Sequence, residues 1–157
     1  MEIRLEKAII SDAQAIFDIQ VKAFMPLLEK YKDYDTSPAN ETVERAIERI
    51  ETPNGGFYKI ISDDILVGAV RVVLKEGNSH FRLSILFILP EYQGKGVAQK
   101  AISIMEEMYS HATSWELDTI LEEEGNCYLY EKLGYSKTGT IRKLNERTTL
   151  VSYLRVL

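Results

Sequence analysis

Two glycines stand between an apolar run and an amphipathic helical pattern near the middle of the chain. The run stops at Pro90, and the glycines are Gly94 and Gly96. Glycine lets the backbone turn its N–H groups toward a ligand that comes close, and a helix start adds unpaired N–H donors and the positive end of the helix dipole. The segment Gln93–Ala98 therefore suits a diphosphate, with Lys95 adding positive charge. An ordinary strand-to-helix loop explains the same residues.

A second group of chemically useful side chains lies in the segment 126–135. Asn126 and Tyr130 are four residues apart, so they share one face of a helix. A phenol can donate a proton to a leaving thiolate. The pKa of a thiol is about 8.5 and that of a phenol about 10, so proton transfer from the phenol to a thiolate is not downhill. The phenol would therefore neutralise the negative charge that develops on sulfur near the transition state. Asn126 as a helix N-cap and Tyr130 as one of nine tyrosines in the core are the alternatives.

The apolar pattern predicts the elements that position these residues. Strand-like runs cover residues 3–9, 57–62, 66–74, 81–89, 115–121, 135–138 and 147–154. Helical patterns begin near Ser11 and Ser37 and cover residues 96–111 and 126–133. Ser11 and Gln14 have the spacing of a capping box, Pro26 is expected to end the first helix, and Gly134 is expected just after the last one.

The predicted order of elements is β-α-α-β-β-β-α-β-α-β-β. Runs of antiparallel hairpins flank one strand–helix–strand crossover, which has to be parallel and right-handed. The order therefore predicts a mixed α/β (α+β) fold in a single domain over residues 1–157, a length typical of one domain.

Composition excludes several classes of function. The net charge is −5 and the chain has no run of five basic residues, so we expect neither a nucleic-acid nor a membrane partner. No apolar stretch approaches the roughly 20 residues that cross a bilayer, and the alternating, mixed-charge start of the chain does not resemble a signal peptide. We therefore expect a cytoplasmic protein. An acidic chain weakly favours a cationic substrate, although acidity also serves solubility.

The cysteine and histidine residues point away from disulfides and metals. Cys127 is the only cysteine, so no internal disulfide can form. His80 and His111 lie far apart without other ligand types at metal-binding spacing, so we expect no metal site. No histidine is near Cys127 in sequence, which gives an acyl-enzyme route through its thiol little support.

The two motifs together resemble those of the GNAT superfamily of acyl-CoA-dependent N-acyltransferases. The segment 93–98, with sequence Gln-Gly-Lys-Gly-Val-Ala, is similar to the family signature Gln/Arg-x-x-Gly-x-Gly/Ala, and the run from Asn126 to Tyr135 is similar to its second motif. Their separation and the order of elements resemble the family over nearly the full chain. Gln93 and Ala98 stand where arginine and glycine are more frequent, within the family's range.

The resemblance implies a central, mostly antiparallel twisted sheet in which one parallel strand pair is splayed, flanked by helices. It implies that the pantetheine arm of acetyl-CoA lies between the strands 81–89 and 115–121, and that Asn126 bonds this arm while Tyr130 acts as general acid. Backbone groups of two short segments would bind the rest: Phe87, Ile88 and Leu89 for pantetheine and an oxyanion, and Gln93, Gly94, Lys95, Gly96, Val97 and Ala98 for the diphosphate.

The implied function is transfer of an acetyl group from acetyl-CoA to a primary amine by direct attack in a ternary complex. The alternatives are a non-catalytic, regulatory acyl-CoA-binding module and a purely structural domain. Glu116 and Asp118 are candidate bases, with an outward-facing or salt-bridged role open for each. The segment 29–35 is expected either to meet the acceptor or to be a solvated loop. The sequence leaves open whether the acceptor is a small molecule or a peptide, the acyl length, and whether the chain forms a homodimer.

Overall fold

Seven strands and four helices form the fold in the computed structural model, which describes residues 1–157. The strands are β1 (Ile3–Lys7), β2 (Gly55–Ser62), β3 (Ile65–Glu76), β4 (His80–Ile88), β5 (Ser114–Ile120), β6 (Ser136–Asn145) and β7 (Thr148–Val156). The helices are α1 (Ala13–Tyr31), α2 (Val43–Glu51), α3 (Val97–Met108) and α4 (Glu124–Lys132). The order of these elements is the predicted one. No helix combines the length and apolar character that a membrane span requires.

All seven strands join one sheet in the order β1-β2-β3-β4-β5-β7-β6. Every neighbouring pair is antiparallel except β4 and β5, which are parallel and joined through α3. A parallel pair needs a crossover that passes over one face of the sheet. The predicted mixed α/β fold with one parallel strand pair is confirmed.

The parallel pair separates after a short contact. Hydrogen-bonded pairing joins His80 to Ser114, Phe81 to Trp115 and Arg82 to Glu116 and goes no further. Both strands nevertheless continue, to Ile88 in β4 and to Ile120 in β5. A wedge-shaped gap therefore opens in the middle of the sheet, as the predicted splaying requires.

The helices cover both faces of this sheet. On one face, α3 buries Val97, Ala101, Ile102 and Met105 in the larger apolar cluster, which includes Trp115 and Tyr153. On the other face, α1 buries Ile16, Ile19 and Ala23 against Phe57, Ile85 and Phe87. The gap between β4 and β5 is thus walled by α1 on one side and by the α3 end of the crossover on the other.

A bulge in β4 changes which side chains reach each face. Ile85 pairs with Arg71 and Leu83 with Val72, so Ser84 is an extra residue in the ladder. An extra residue shifts the alternation of side chains by one. Leu83 and Ile85 are two residues apart and would share one face of a regular strand. Because of the bulge, Leu83 packs in the apolar cluster with α3 and Ile85 in the cluster with α1.

The first helix differs from its prediction at both ends. The capping box is wrong, because Asp12 is the N-cap residue and its carboxylate accepts from the backbone N–H of Ile9 at 2.9 Å. Pro26 does not end the helix, which continues to Tyr31. Proline in a helix interior removes one hydrogen bond and costs about 3 kcal/mol, but burial of Leu28 and Tyr31 in the last turns offsets that cost.

The sixth strand is longer than predicted. The alternating pattern ended at Thr138, whereas β6 continues to Asn145. Gly139 has a φ of 94° at a register shift between Lys137 and Ile141, so the strand bulges there and then resumes against β7. Glycine at this position is what lets the strand bend.

Candidate active site

A cavity of about 800 Å³ opens beside the end of β4, where this strand no longer pairs with β5. The lining comes from α1, the end of β4, the turn before α3 and helix α4. Nine of the predicted site residues line it: Phe87, Ile88, Gln93, Gly94, Gly96, Val97, Ala98, Asn126 and Tyr130. Leu89 and Lys95 do not line it. The fold therefore brings two motifs that are some thirty residues apart in sequence to one cavity.

The turn before α3 leaves a row of backbone donors free. Gly94 and Gly96 have φ values of 72° and 84°, a conformation that L-residues with side chains rarely adopt, and Gly96 is the N-cap of α3. The amides of residues 94 to 99 have no acceptor in the protein. The first amides of a helix cannot bond within it, so these donors and the positive helix end together form an anion-binding surface.

The backbone of β4 presents only some of its peptide groups to the gap. The Leu89 amide donates to the Val67 carbonyl at 2.7 Å, and the Phe87 carbonyl lies against Gly68 of β3. Peptide groups of successive residues alternate between the two neighbours of a strand. Of the three residues predicted to bind pantetheine at the end of β4, Ile88 alone therefore turns its peptide groups toward the gap. Its carbonyl accepts from Gln93 Nε2 at 2.9 Å.

Tyr130 lies at the base of the gap on α4. Its side chain is buried, with its ring centroid 6.0 Å from that of Tyr135 and 6.2 Å from that of Tyr153. Burial, with a smaller contribution from the neighbouring Cys127, raises the pKa of Tyr130 to about 12. The Tyr153 hydroxyl donates to Glu131 Oε2 at 2.5 Å, which fastens α4 to β7 beside Tyr130. The phenol is thus held in place and protonated.

Asn126 occupies the same face of α4, one turn before Tyr130. It is the third residue of the helix, whose N-cap is Glu123, so the N-cap alternative for Asn126 is wrong. Its side chain is exposed and lines the cavity. Gly134, with a φ of 95°, follows the C-cap Leu133 of α4, as predicted.

A second cavity of about 330 Å³ meets the first. Five residues line both: Phe24, Leu27, Leu86, Asn126 and Tyr130. The second cavity extends from this junction between the end of α1, the segment after it, and the hairpin of β6 and β7. Two molecules entering from the two cavities would meet beside Tyr130.

The two candidate bases on β5 share one counter-ion. Arg82 Nη1 lies 3.2 Å from Glu116 Oε2, and Arg82 Nη2 lies 3.0 Å from Asp118 Oδ2. Asp118 also accepts from the Ser152 hydroxyl at 2.7 Å. The oxygen that each carboxylate turns toward Arg82 is occupied by that ion pair. The salt-bridged alternative therefore describes both residues.

Sequence reasoning missed a polar group at the wall of the first cavity. Glu123 accepts from Lys30 Nζ at 2.9 Å and from the Tyr31 hydroxyl. Burial alone would raise the pKa of Glu123, but these two hydrogen bonds hold it below its ordinary value. The signal was available, because Phe24, Leu27, Leu28 and Tyr31 continue the helical spacing past Pro26.

The model of the acetyltransferase (GNAT) family matches residues 14–135, which include both motifs and the splayed strands. The chain belongs to the GNAT family. Membership makes it an acyltransferase, and the predicted family resemblance is confirmed. No curated protein sequence matches this GNAT chain.

Solved structures similar to this GNAT chain share its fold at low sequence identity. The ribosomal-protein-S18-alanine N-acetyltransferase of Escherichia coli has a TM-score of 0.78 and 12% identity over 99% of this chain and 94% of that one. The PaiA N-acetyltransferase of Thermoplasma acidophilum, in complex with coenzyme A, has a TM-score of 0.73 and 14% identity over all of both chains. A chimera of spermidine N-acetyltransferase SpeG from Vibrio cholerae and hSSAT has a TM-score of 0.79 and 17% identity over 99% and 96%.

Proposed function

We propose that this GNAT enzyme transfers an acetyl group from acetyl-CoA to a primary amine by direct attack in a ternary complex. The observation that carries the proposal is the junction of two cavities at Tyr130, with the free amides of the Gly94–Gly96 turn at the far end of the larger one. One cavity suits a long, anionic thioester and the other a small acceptor. Direct attack needs both molecules bound together, and the junction supports that arrangement.

The residues of the larger cavity fit acetyl-CoA. The backbone amides of residues 94 to 99 donate hydrogen bonds to the diphosphate oxygens, helped by the dipole of α3. The unpaired edge of β4 receives the amide-rich pantetheine arm, and the Asn126 side chain bonds it from α4. The complex of the Thermoplasma relative with coenzyme A supports the same choice of co-substrate.

Two groups of the chain act on the reacting atoms. Acetyl-CoA supplies an acetyl group activated as a thioester. The Ile88 amide, which faces the gap, donates to the carbonyl oxygen as negative charge develops there. Tyr130 donates to the sulfur as the thiolate leaves. A pKa of about 12 keeps the phenol protonated. Burial also raises the proton affinity of the leaving thiolate, so the pKa difference between the phenol and the thiol becomes smaller.

The acceptor must lose a proton before or during attack, because an ammonium has no lone pair and a lysine-like amine has a pKa near 10.4. Glu116 and Asp118 are both engaged in ion pairs with Arg82. Proton loss to water in the open second cavity is the route that this arrangement favours.

Calorimetric titration with acetyl-CoA, followed by thiol-release assays over a panel of primary amines, tests the proposed function. We expect saturable binding at one site and release of free thiol that depends on the amine. Lack of any binding of acetyl-CoA would rule out the proposal. Binding without thiol release on any amine would favour the regulatory module instead.

Replacing Cys127 with alanine tests direct attack. The Cys127 thiol is buried and makes long contacts of 3.8 Å to the carbonyls of Ile120 and Leu121. We expect kcat within about twofold of the wild type, with a stability loss of about 1 kcal/mol from the missing sulfur. A loss of acetyl transfer above about a hundredfold in a folded variant would point to an acyl-enzyme on Cys127. Mass spectrometry after incubation with acetyl-CoA alone gives an independent check, because direct attack leaves the protein unmodified.

A further inference from the structure

The second cavity carries charges of both signs in equal number. Its lining includes two carboxylates and two guanidinium groups: Asp33, Asp118, Arg82 and Arg142. Asp118 and Arg82 neutralise each other through their 3.0 Å ion pair. Asp33 and Arg142 form no ion pair. After the internal pair is set aside, one anion and one cation remain for a bound molecule.

Arg142 is placed on β6 so that it belongs to the cavity wall. It pairs across the ladder with Leu150, and Leu144 lies two residues further on, at the register shift between Lys143 and Asn145. Leu144 and Leu150 also line the cavity. The Arg142 guanidinium makes no hydrogen bond to the protein, so its donors are free for a carboxylate or another planar anion.

Asp33 provides the opposite charge from the segment that follows α1. Its carboxylate accepts from the backbone N–H and the hydroxyl of Thr36 and from no cation. Those two donors fix the carboxylate without removing its charge. Because no cation of the protein pairs with Asp33, its carboxylate is available to attract a protonated amine that enters the cavity.

The size of the cavity limits what these charges can bind. Its volume of about 330 Å³ is near the lower end for ligand sites, which range from about 300 to 1,000 Å³. A linear polyamine would require an excess of carboxylates, and it would leave Arg142 facing like charge. A small zwitterion satisfies both unpaired groups.

We propose that the acceptor is a free α-amino acid whose carboxylate binds Arg142 and whose ammonium group is attracted by Asp33. The inference rests on the proposed acetyl transfer and adds the substrate class. The ammonium group first loses one proton to water, which frees the nitrogen lone pair. The nitrogen then forms a bond to the acetyl carbon and the carbon–sulfur bond breaks. Tyr130 protonates the leaving thiolate and regains a proton from the second one that the nitrogen loses. The products are an N-acetyl amino acid, coenzyme A as the free thiol, and one proton released to the solvent.

The test compares amino acids with the amines that lack only the carboxylate: tyrosine with tyramine, histidine with histamine, and lysine with cadaverine. We expect kcat/KM in the thiol-release assay to be about 10–100-fold higher for at least one amino acid than for its decarboxylated partner, as expected from one charge-assisted contact. Equal or faster turnover of the decarboxylated amines or of spermidine would overturn the proposal. So would turnover of a peptide N-terminus in the absence of any activity on free amino acids.

Two variants locate the effect. Arg142→Gln should raise KM for the preferred amino acid about tenfold or more and leave kcat/KM for the decarboxylated amine within about twofold, which removes the preference. Lys143→Gln is the matched control, because Lys143 is the next residue of β6 and is exposed as Arg142 is, but lines neither cavity. If Arg142→Gln kept the preference for the amino acid over the decarboxylated amine, the assignment of Arg142 as the carboxylate-binding residue would be overturned.

The two levels of the proposal fail in different ways. Calorimetric titration with acetyl-CoA reports on the proposed function alone, since Arg142 and Asp33 line only the second cavity. Normal binding of acetyl-CoA together with turnover of amines that lack a carboxylate would retain the acetyltransferase and remove the amino-acid acceptor.

Discussion

Replacing Tyr130 with phenylalanine is expected to lower kcat by about 10²–10³-fold, the usual contribution of a positioned proton or hydrogen-bond donor to a leaving group. Phenylalanine keeps the packing of the ring against Tyr135 and Tyr153 and removes only the hydroxyl. The Kd for acetyl-CoA should stay within about threefold, because the charge that the hydroxyl quenches develops only in the transition state. Stopped-flow or steady-state thiol release and calorimetric titration separate the two quantities.

Tyr34→Phe is the control for this substitution, because Tyr34 is exposed and lines neither cavity. The pH profile gives a further check. A general acid works while protonated, so activity that depends on Tyr130 is lost only as the pH rises through its pKa of about 12. We expect no decline from this group between pH 7 and 10. An unchanged kcat in Tyr130→Phe would remove the phenol from the mechanism.

Adding a methyl group at Gly68 is expected to lower the free energy of unfolding by about 2–3 kcal/mol, because the new atom overpacks a site with no room. A Cβ on Gly68 would lie 2.1 Å from the Phe87 carbonyl oxygen, so β3 and β4 would have to move apart. That movement reaches the peptide group of Ile88, and we therefore also expect weaker binding of acetyl-CoA. Urea denaturation followed by circular dichroism measures the stability change.

Gly125→Ala provides a control with the opposite sign. Gly125 lies in the first turn of α4, its φ is not positive, and an added Cβ would meet nothing within 4 Å. Alanine favours a helix over glycine by about 0.5–1 kcal/mol, so this variant should be slightly more stable than the wild type. A Gly68→Ala variant with wild-type stability would show that β3 and β4 tolerate a wider spacing.

The sequence by itself determined the order of elements, the two motifs and the family. These features depend on local patterns: the apolar periodicity of each element, the paired glycines at Gly94 and Gly96, and the four-residue spacing of Asn126 and Tyr130. Such patterns act within one element or one turn, so they can be read without knowing the partners of that element.

Only the tertiary structure decided how far these elements extend and what surrounds the site. Burial against other elements carries α1 past Pro26, and pairing with β7 carries β6 past Gly139. The bulge at Ser84 shifts the alternation along the rest of β4 by one residue, and the peptide groups of Ile88 consequently face the gap. The pairing of Arg82 with two carboxylates and the free charge of Arg142 depend on residues distant in sequence. Long-range packing and charge pairing cannot be read from local spacing. The second cavity, on the acceptor side of the site, could therefore be described only from the tertiary structure.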